Sequence, residues 1–322
     1  MLYRRLAASL AAVTMLCATA VFAQSWPTQP VRIIVGFPPG GVADAIPRYL
    51  QNALGEALGQ SIVVENKPGG AGIIAMSAIA QATDNHTVGV MTLQNLIVPA
   101  TGATLPYDAR KDLQGLVLFG KTASVLTVHT SLPVNNVQEL IAYAKANPGK
   151  LAFATSGNAT GQHFATESLR LGAGIDIIHV PYKGVAPAYT DVLSGRVPVM
   201  FMTYGSGKQH WESGKVRPLA VSTPTRFGLM PELPTMAEAS GIADFSLIEW
   251  YALVAPSAMP RDAMAKLHKA LTGLMSRPEH TAFNQKYGLV YENASIEETQ
   301  AFLMNEMGRM TVIAKRANIR LE

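Results

Sequence analysis

Residues 31–59 read VRIIVGFPPGGVADAIPRYLQNALGEALG. VRIIVGF (31–37) is a β-branched, apolar run, and PPGG breaks it. The residues that follow carry apolar side chains at helical spacing as far as Gly59. The pattern is strand, glycine turn, helix. It repeats downstream. QSIVVEN (60–66) predicts a strand, KPGGAG (67–72) a second glycine turn, IIAMSAIAQA (73–82) a helix and HTVGVMT (86–92) a third strand. A β-α-β-α-β rhythm argues for a parallel sheet covered by helices, an α/β fold.

The rhythm restarts near residue 123. SVLTVHT (124–130) is a strand, NNVQELIAYAKANPGK (135–150) a capped amphipathic helix and LAFATSG (151–157) a strand. TGQHFATESLRLGAG (160–174), DIIHVPY (176–182), APAYTDVLSG (186–195), VPVMFMTY (197–204) and VRPLAVST (216–223) continue as helix, strand, helix, strand and strand. The last segments, 262–276 and 295–317, are helical with no sheet of their own, so they must pack on an existing domain. The expected organisation is a first domain of 24–122 completed by 251–322, a second of 123–250, and two crossings of the chain that form a hinge. Domains of about 150 residues can each bury a sizeable core.

The N-terminal stretch MLYRRLAASLAAVTMLCATAVFA (1–23) has a short basic region, an apolar run and a small-residue site at Val21-Phe22-Ala23. This is the layout of a secretory signal peptide and predicts an exported, periplasmic chain. The apolar run is short and Ala- and Thr-rich for a retained anchor. The single cysteine, Cys17, leaves with the leader, which removes thiol nucleophiles and cysteine-based zinc sites. The whole chain carries a formal charge of +4 and loses Arg4 and Arg5 on cleavage. It is then too near neutral to mark nucleic acid as a partner.

GLVLFGKT (115–122) spells a phosphate-binding loop letter by letter. Its middle residues form a strand-like apolar run, and another strand, not a helix, follows Thr122. The stretch predicts no nucleotide site, and Gly120-Lys121-Thr122 is most simply a turn between two strands. No H-E-x-x-H, no paired His/carboxylate metal cluster and no G-x-S-x-G occurs, so neither a metal, a cofactor nor a serine-hydrolase elbow is expected.

Two other glycine turns have a strand before and a helix after: FPPGGVAD (37–44) and TSGNATGQH (155–163). Helix-start N–H groups there face the crevice beyond the strand ends, where open parallel sheets hold ligands, and they favour an anion. The alternative is two ordinary β-α turns. Asp44 is either an N-terminal acid that fixes its turn, the simpler reading, or a contact to a ligand amino or hydroxyl group. His163 is either structural or a donor to an anion. His179 reads as a packing residue.

RIIVGFPPGGVADAIPRYL, GQSIVVENKPGGAG, TSGNATGQHFATESL, HVPYKGVAPAYTDVLSGRV, VRPLAVSTPTRFGLMPELPTMAEA and YALVAPSAMP follow one another in this chain. Their order resembles that of the tripartite tricarboxylate transporter substrate-binding proteins, the Bug receptors, over nearly the whole mature sequence. The resemblance implies a two-domain periplasmic binding protein of type II, a Venus flytrap with a carboxylate held in the cleft between domains. It implies a receptor, not an enzyme, that delivers its ligand to membrane transporter subunits. The rivals are a secreted hydrolase or lyase acting on a carboxylate, and a sensor receptor for a signalling partner. Carried over, the ligand contacts are Phe37, Pro38, Pro39, Gly40, Gly41 and Asp44; Thr92, Leu93 and Gln94; and Ser156, Gly157, Asn158, Ala159, Thr160 and His163. Tyr182, Lys183 and Thr203 complete the implied lining. The chain departs from the family pattern at TDNHT (83–87), at Pro198 and at Pro47 inside the first helix.

Overall fold

The computed structural model describes residues 26–319. The leader assigned to 1–23, with Cys17, lies outside them. β1 (Val31–Val35) buries every residue but Arg32, and α1 (Val42–Leu58) follows. In α1, Ile46, Leu50, Leu54 and Leu58 recur every four residues and are buried on one face. Gly59 then stops the helix in the left-handed conformation at φ 72°, its N–H on the Gly55 carbonyl. Pro47 is the sixth residue of α1, beyond the first turn, so its ring removes one internal hydrogen bond.

The first half continues through β2 (Ile62–Asn66), α2 (Ile73–Ala80), β3 (Thr87–Thr92) and α3 (Leu93–Ala100). β4 (Leu113–His129) then runs into the second half, which comprises α4 (Val137–Ala146), β5 (Ala152–Thr155), α5 (Gly161–Ala173), β6 (Ile178–Pro181), α6 (Val185–Leu193), β7 (Val199–Thr203), α7 (Tyr204–Glu212), β8 (Val216–Val221) and α8 (Met236–Ser240). The chain returns through β9 (Ile248–Pro256) to α9 (Arg261–Met275), α10 (His280–Tyr287) and α11 (Ile296–Ala317).

The strands lie in the order β2-β1-β3-β9-β4-β7-β5-β6, with β8 also on β4. β1 pairs parallel with β2 and β3, and β5 parallel with β6 and β7. β9 is antiparallel to both β3 and β4, and lies between them. β4 changes partners along its length. Leu113–Ala123 pairs with β9, and Ser124–His129 pairs with β7 and β8.

Two expectations change here. Gly120-Lys121-Thr122 is no turn: β4 runs straight through it, with a register shift between Leu118 and Gly120. Gly120 at φ 155° absorbs that irregularity, because its missing Cβ would meet Leu289 Cβ at 3.2 Å. The final segment also contributes a strand, β9, ahead of its helices. α9 packs on α1 through Leu267, Leu271 and Leu274. α11 lies on α3, β4 and α5 and so touches both halves. One core cluster joins Leu93 and Leu96 of the first half, Phe153, Phe164 and Leu169 of the second, and Met307 and Met310 of α11. Among the described residues no helix is long and apolar enough to cross a membrane.

Candidate functional site

The loop after β1 is shaped by Asp44. Its buried carboxylate accepts from Gly40 N at 3.0 Å, Arg48 Nε at 2.9 Å and Asn66 Nδ2 at 2.8 Å. Asn66 Nδ2 also donates to the Phe37 carbonyl at 3.0 Å. Burial alone would raise the Asp44 pKa, but these hydrogen bonds outweigh it and hold it below the ordinary carboxylate value. The carboxylate is thus turned into its own loop. Pro38, Pro39, Gly40 and Gly41 are exposed in front of it, and Phe37 is half-buried. A Cβ at Gly40 or Gly41 would meet nothing within 4 Å, so the space before the α1 N-terminus is open. Gly40 needs its φ of 99° to turn the chain.

Thr92 and Asn95 form a capping box at the start of α3: Thr92 N donates to Asn95 Oδ1 at 2.8 Å. Leu93 is fully buried beneath the helix start. Gln94 reaches outward, and its Nε2 donates to the Ala159 carbonyl in the second half at 2.8 Å.

The third loop is held by its own residues. Ser156 N donates to Gln162 Oε1 at 2.8 Å. Thr160 caps α5, accepting from His163 N, while its hydroxyl donates to the Gly157 carbonyl at 2.9 Å. The Thr160 hydroxyl is thereby spent inside the loop. Asn158 is exposed at the tip. Ala159 is buried at φ 51°, an unusual conformation for a residue with a side chain, and its N–H meets His163 Nδ1 at 3.1 Å. Nδ1 therefore accepts, and Nε2 carries the proton of a neutral ring.

His163 stacks on His179 with ring centres 3.9 Å apart. His179 Nε2 lies 2.6 Å from Thr155 Oγ1. Burial, and then the neighbouring His163, push His179 down to about 4; burial also lowers His163, against the opposing charge of Glu167. The two histidines form one neutral pair, which their separate positions on strand and helix did not reveal.

Tyr182 N bonds the Thr155 carbonyl and Gly184 N the Ser156 carbonyl, so the 181–184 turn is tied to the 155–160 loop. The Tyr182 hydroxyl is committed to Asp191 at 2.6 Å, and burial followed by that acid pushes it up to about 12. Lys183 is exposed at the rim. Thr203 ends β7 opposite Ser124 of β4 and accepts from Ser206 Oγ through its carbonyl. Pro198 stands at the other end of β7, where its carbonyl takes the His129 N–H, so that departure from the family pattern is remote from the loops.

Sequence reasoning missed Asn66, Gln162 and Glu249. Asn66 ends β2 opposite Val35, the residue before the first loop. Glu249 lies on β9 opposite Thr122, and a Cβ at Gly161 would stand 2.4 Å from its Oε1 and 3.3 Å from Leu93 Cδ2. Burial, and then Glu306 of α11, raise its carboxyl to about 7.

A groove of about 650 Å³ between α5, residues 242–246 and α11 contains none of the predicted residues. Its Arg309 is already bonded to Glu306 and to the Ser246 carbonyl. Among the described residues no group of three His, Cys, Asp or Glu could hold a metal ion.

The chain matches the model of the tripartite tricarboxylate transporter family receptor over residues 46–319. BugT of Bordetella pertussis is 32% identical over 95% of this chain and 94% of its own length. A protein encoded in the tcbD-tcbE intergenic region of Pseudomonas sp. strain P51 is 34% identical over 86% of this chain and 83% of its own. An R. palustris protein solved with adipate superposes with a TM-score of 0.80 at 31% identity, covering 92% of this chain and 99% of that one. With its two half-sheets, its two crossing strands and a match over most of its length, the chain belongs to the tripartite tricarboxylate transporter receptor family, a family of periplasmic binding proteins with the two-domain flytrap fold.

Proposed function

We propose that the protein is a periplasmic receptor that captures a small organic carboxylate between its halves and hands it to a tripartite tricarboxylate-type membrane transporter, with no enzymatic step. The domains in this reading are 24–122 with 251–322, and 123–250. The observation that carries it is the start of α5. There, Ser156 precedes, and neutral His163 lies within, the first turn of a helix whose N-terminal N–H groups favour an anion. These donors suit a carboxylate without any cation, and neither FPPGGVAD nor TSGNATGQH contains Lys or Arg. The adipate bound by the R. palustris relative supports the same ligand class.

Ligand contact through Phe37–Gly41, Thr92–Gln94, Ser156–Thr160, His163, Tyr182, Lys183 and Thr203 is part of this proposal. Asp44 enters it as the residue that shapes the first loop. Mass spectrometry of what co-purifies, followed by calorimetry with that compound and with adipate, tests the reading. Micromolar carboxylate binding, about 8 kcal/mol, is expected. A neutral or cationic ligand bound in preference to every carboxylate would end it. Periplasmic export is tested by N-terminal sequencing: a mature chain starting near Gln24 is expected, and one that keeps Cys17 contradicts it.

A further inference from the structure

Glu249 is an acid where an anion receptor has least use for one. Its Oε1 lies beside Gly161, the first residue of α5, and Leu93, the first residue of α3. These helix starts belong to the two halves that Gln94 and Ala159 join. Glu249 also sits on β9, one of the strands by which the chain crosses between the halves. Among the described residues its carboxyl has no hydrogen-bond partner, although the residue is only partly accessible.

The charged and titratable groups around it come from every packed element. α11 brings Glu306, whose Oε2 is buried without a partner, and Arg309, which is bonded to Glu306 Oε1. β9 itself brings Tyr251, pushed further from ionisation by burial and by Glu249. α5 brings neutral His163 two residues past Gly161. α3 and β3 bring only uncharged Leu93, Gln94 and Thr92. On β4, Lys121 is next to Thr122, the strand partner of Glu249, but its ammonium is paired with Glu292. Among the described residues no cation in this shell is left to neutralise Glu249.

An ionised Glu249 and a ligand carboxylate at the α5 N-terminus would be like charges in a poorly solvated space, which is strongly unfavourable. We propose that a carboxylate binds with Glu249 as the neutral acid, which donates its O–H to the bound anion, so that wherever Glu249 is ionised in the free receptor, binding takes up one proton from solvent. The inference rests on the carboxylate-receptor reading above. No bond other than O–H forms or breaks: the buffer gives up the proton, and Glu249 returns it when the ligand leaves. The receptor then holds its cargo more tightly as the medium acidifies. The histidine pair does not blur this response, because both rings titrate below their ordinary value.

Calorimetry with adipate, malate and other dicarboxylates of about four to six carbons decides it. Wild type and Glu249→Gln are compared between about pH 6 and 8.5, in two buffers of different ionisation heat. The expected result is uptake of close to one proton by wild type near pH 8, with affinity falling about tenfold per pH unit above pH 7. Glu249→Gln should show no uptake and a flat profile across that range. Unchanged proton uptake in Glu249→Gln would assign the proton elsewhere and overturn the proposal. Loss of binding by Glu249→Gln even at pH 6 would also overturn it, making Glu249 an ionised acceptor for a ligand hydroxyl or ammonium. Binding independent of pH in both proteins overturns the proton uptake and leaves the receptor reading intact. Failure of every dicarboxylate to bind either protein removes the carboxylate reading, and the proton uptake with it.

Discussion

Gln94 Nε2 donates to the Ala159 carbonyl at 2.8 Å, joining the first turn of α3 to the loop that opens α5, across 65 residues of sequence. The bond links the two halves of the molecule at the candidate site. A hydrogen bond of this kind contributes about 1 kcal/mol. Gln94→Ala should therefore shift the free protein toward an opened arrangement and weaken ligand binding roughly five- to tenfold. Small-angle scattering of the ligand-free variant should give a larger radius of gyration than wild type. An identical radius and an identical affinity would show that the bond is incidental.

Asp44 should matter for stability before it matters for binding. Its buried carboxylate organises Gly40, Arg48 and Asn66, and Asp44→Ala should cost about 2–3 kcal/mol in denaturant unfolding. The sign with pH follows from its depressed pKa. The contribution is present above the unfolded value of 3.8 and is lost as pH falls through the lower folded value. Asp44→Asn that binds ligand normally and unfolds like wild type at neutral pH would refute this role.

Gly41 has open space where a side chain would project and an ordinary φ of −80°. Gly41→Val should fold as well as wild type and lose ligand affinity by at least about tenfold, because the new methyls enter the approach to the α1 N-terminus. Thr160→Ala should weaken binding too, but by uncapping α5, with about 1 kcal/mol lost from stability as well. Exposed Lys183→Ala should do least. If Lys183→Ala abolishes binding and Thr160→Ala leaves it intact, an ion pair holds the ligand.

Two half-buried groups pull stability in opposite directions with pH. His179 has a folded value of about 4 against an ordinary 6.5. The unfolded chain therefore binds more protons between those values, and stability is lost as pH falls from about 6.5 to about 4. Glu249, raised from 4.5 to about 7, does the reverse: the folded chain keeps the proton, and stability is lost as pH rises across that range. Each shift corresponds to about 3 kcal/mol at most, and the partial access of the Glu249 carboxyl to solvent trims its share. Wild type should be nearly flat where the ranges overlap. Glu249→Gln should instead gain stability with rising pH and exceed wild type by about 2 kcal/mol near pH 8, read by urea unfolding. A variant weaker than wild type at that pH would mean that the ionised carboxylate has a partner in solution.

Much of this arrangement could be read from the sequence. VRIIV and the four-residue spacing of Ile46, Leu50, Leu54 and Leu58 declare a strand and a helix by periodicity alone, and Gly59 marks the stop. α3 was silent because LQNLIVPA is only eight residues long, carries Pro99 and is buried almost all round. β9 was silent for a related reason: IEWYALVAP is covered on both faces and shows no alternation. The turn expected at Gly120 failed because glycine in a strand can mark a bulge as readily as an end. At the site, the glycine turns announced their loops. What anchors them did not show, since Asn66, Gln162 and Glu249 reach the site only through the folding of distant segments.

β9 completes the sheet of the first half by lying between β3 and β4, yet it is synthesised after the whole of the second half. A chain emerging from the ribosome N-terminus first therefore presents β1, β2 and β3 with a bare edge until residue 256 is out. The first half cannot finish folding ahead of the second, and pairings so distant in sequence form slowly. The open edge of β3 is therefore available for pairing throughout synthesis of the second half, and the two halves complete their folding together rather than one after the other.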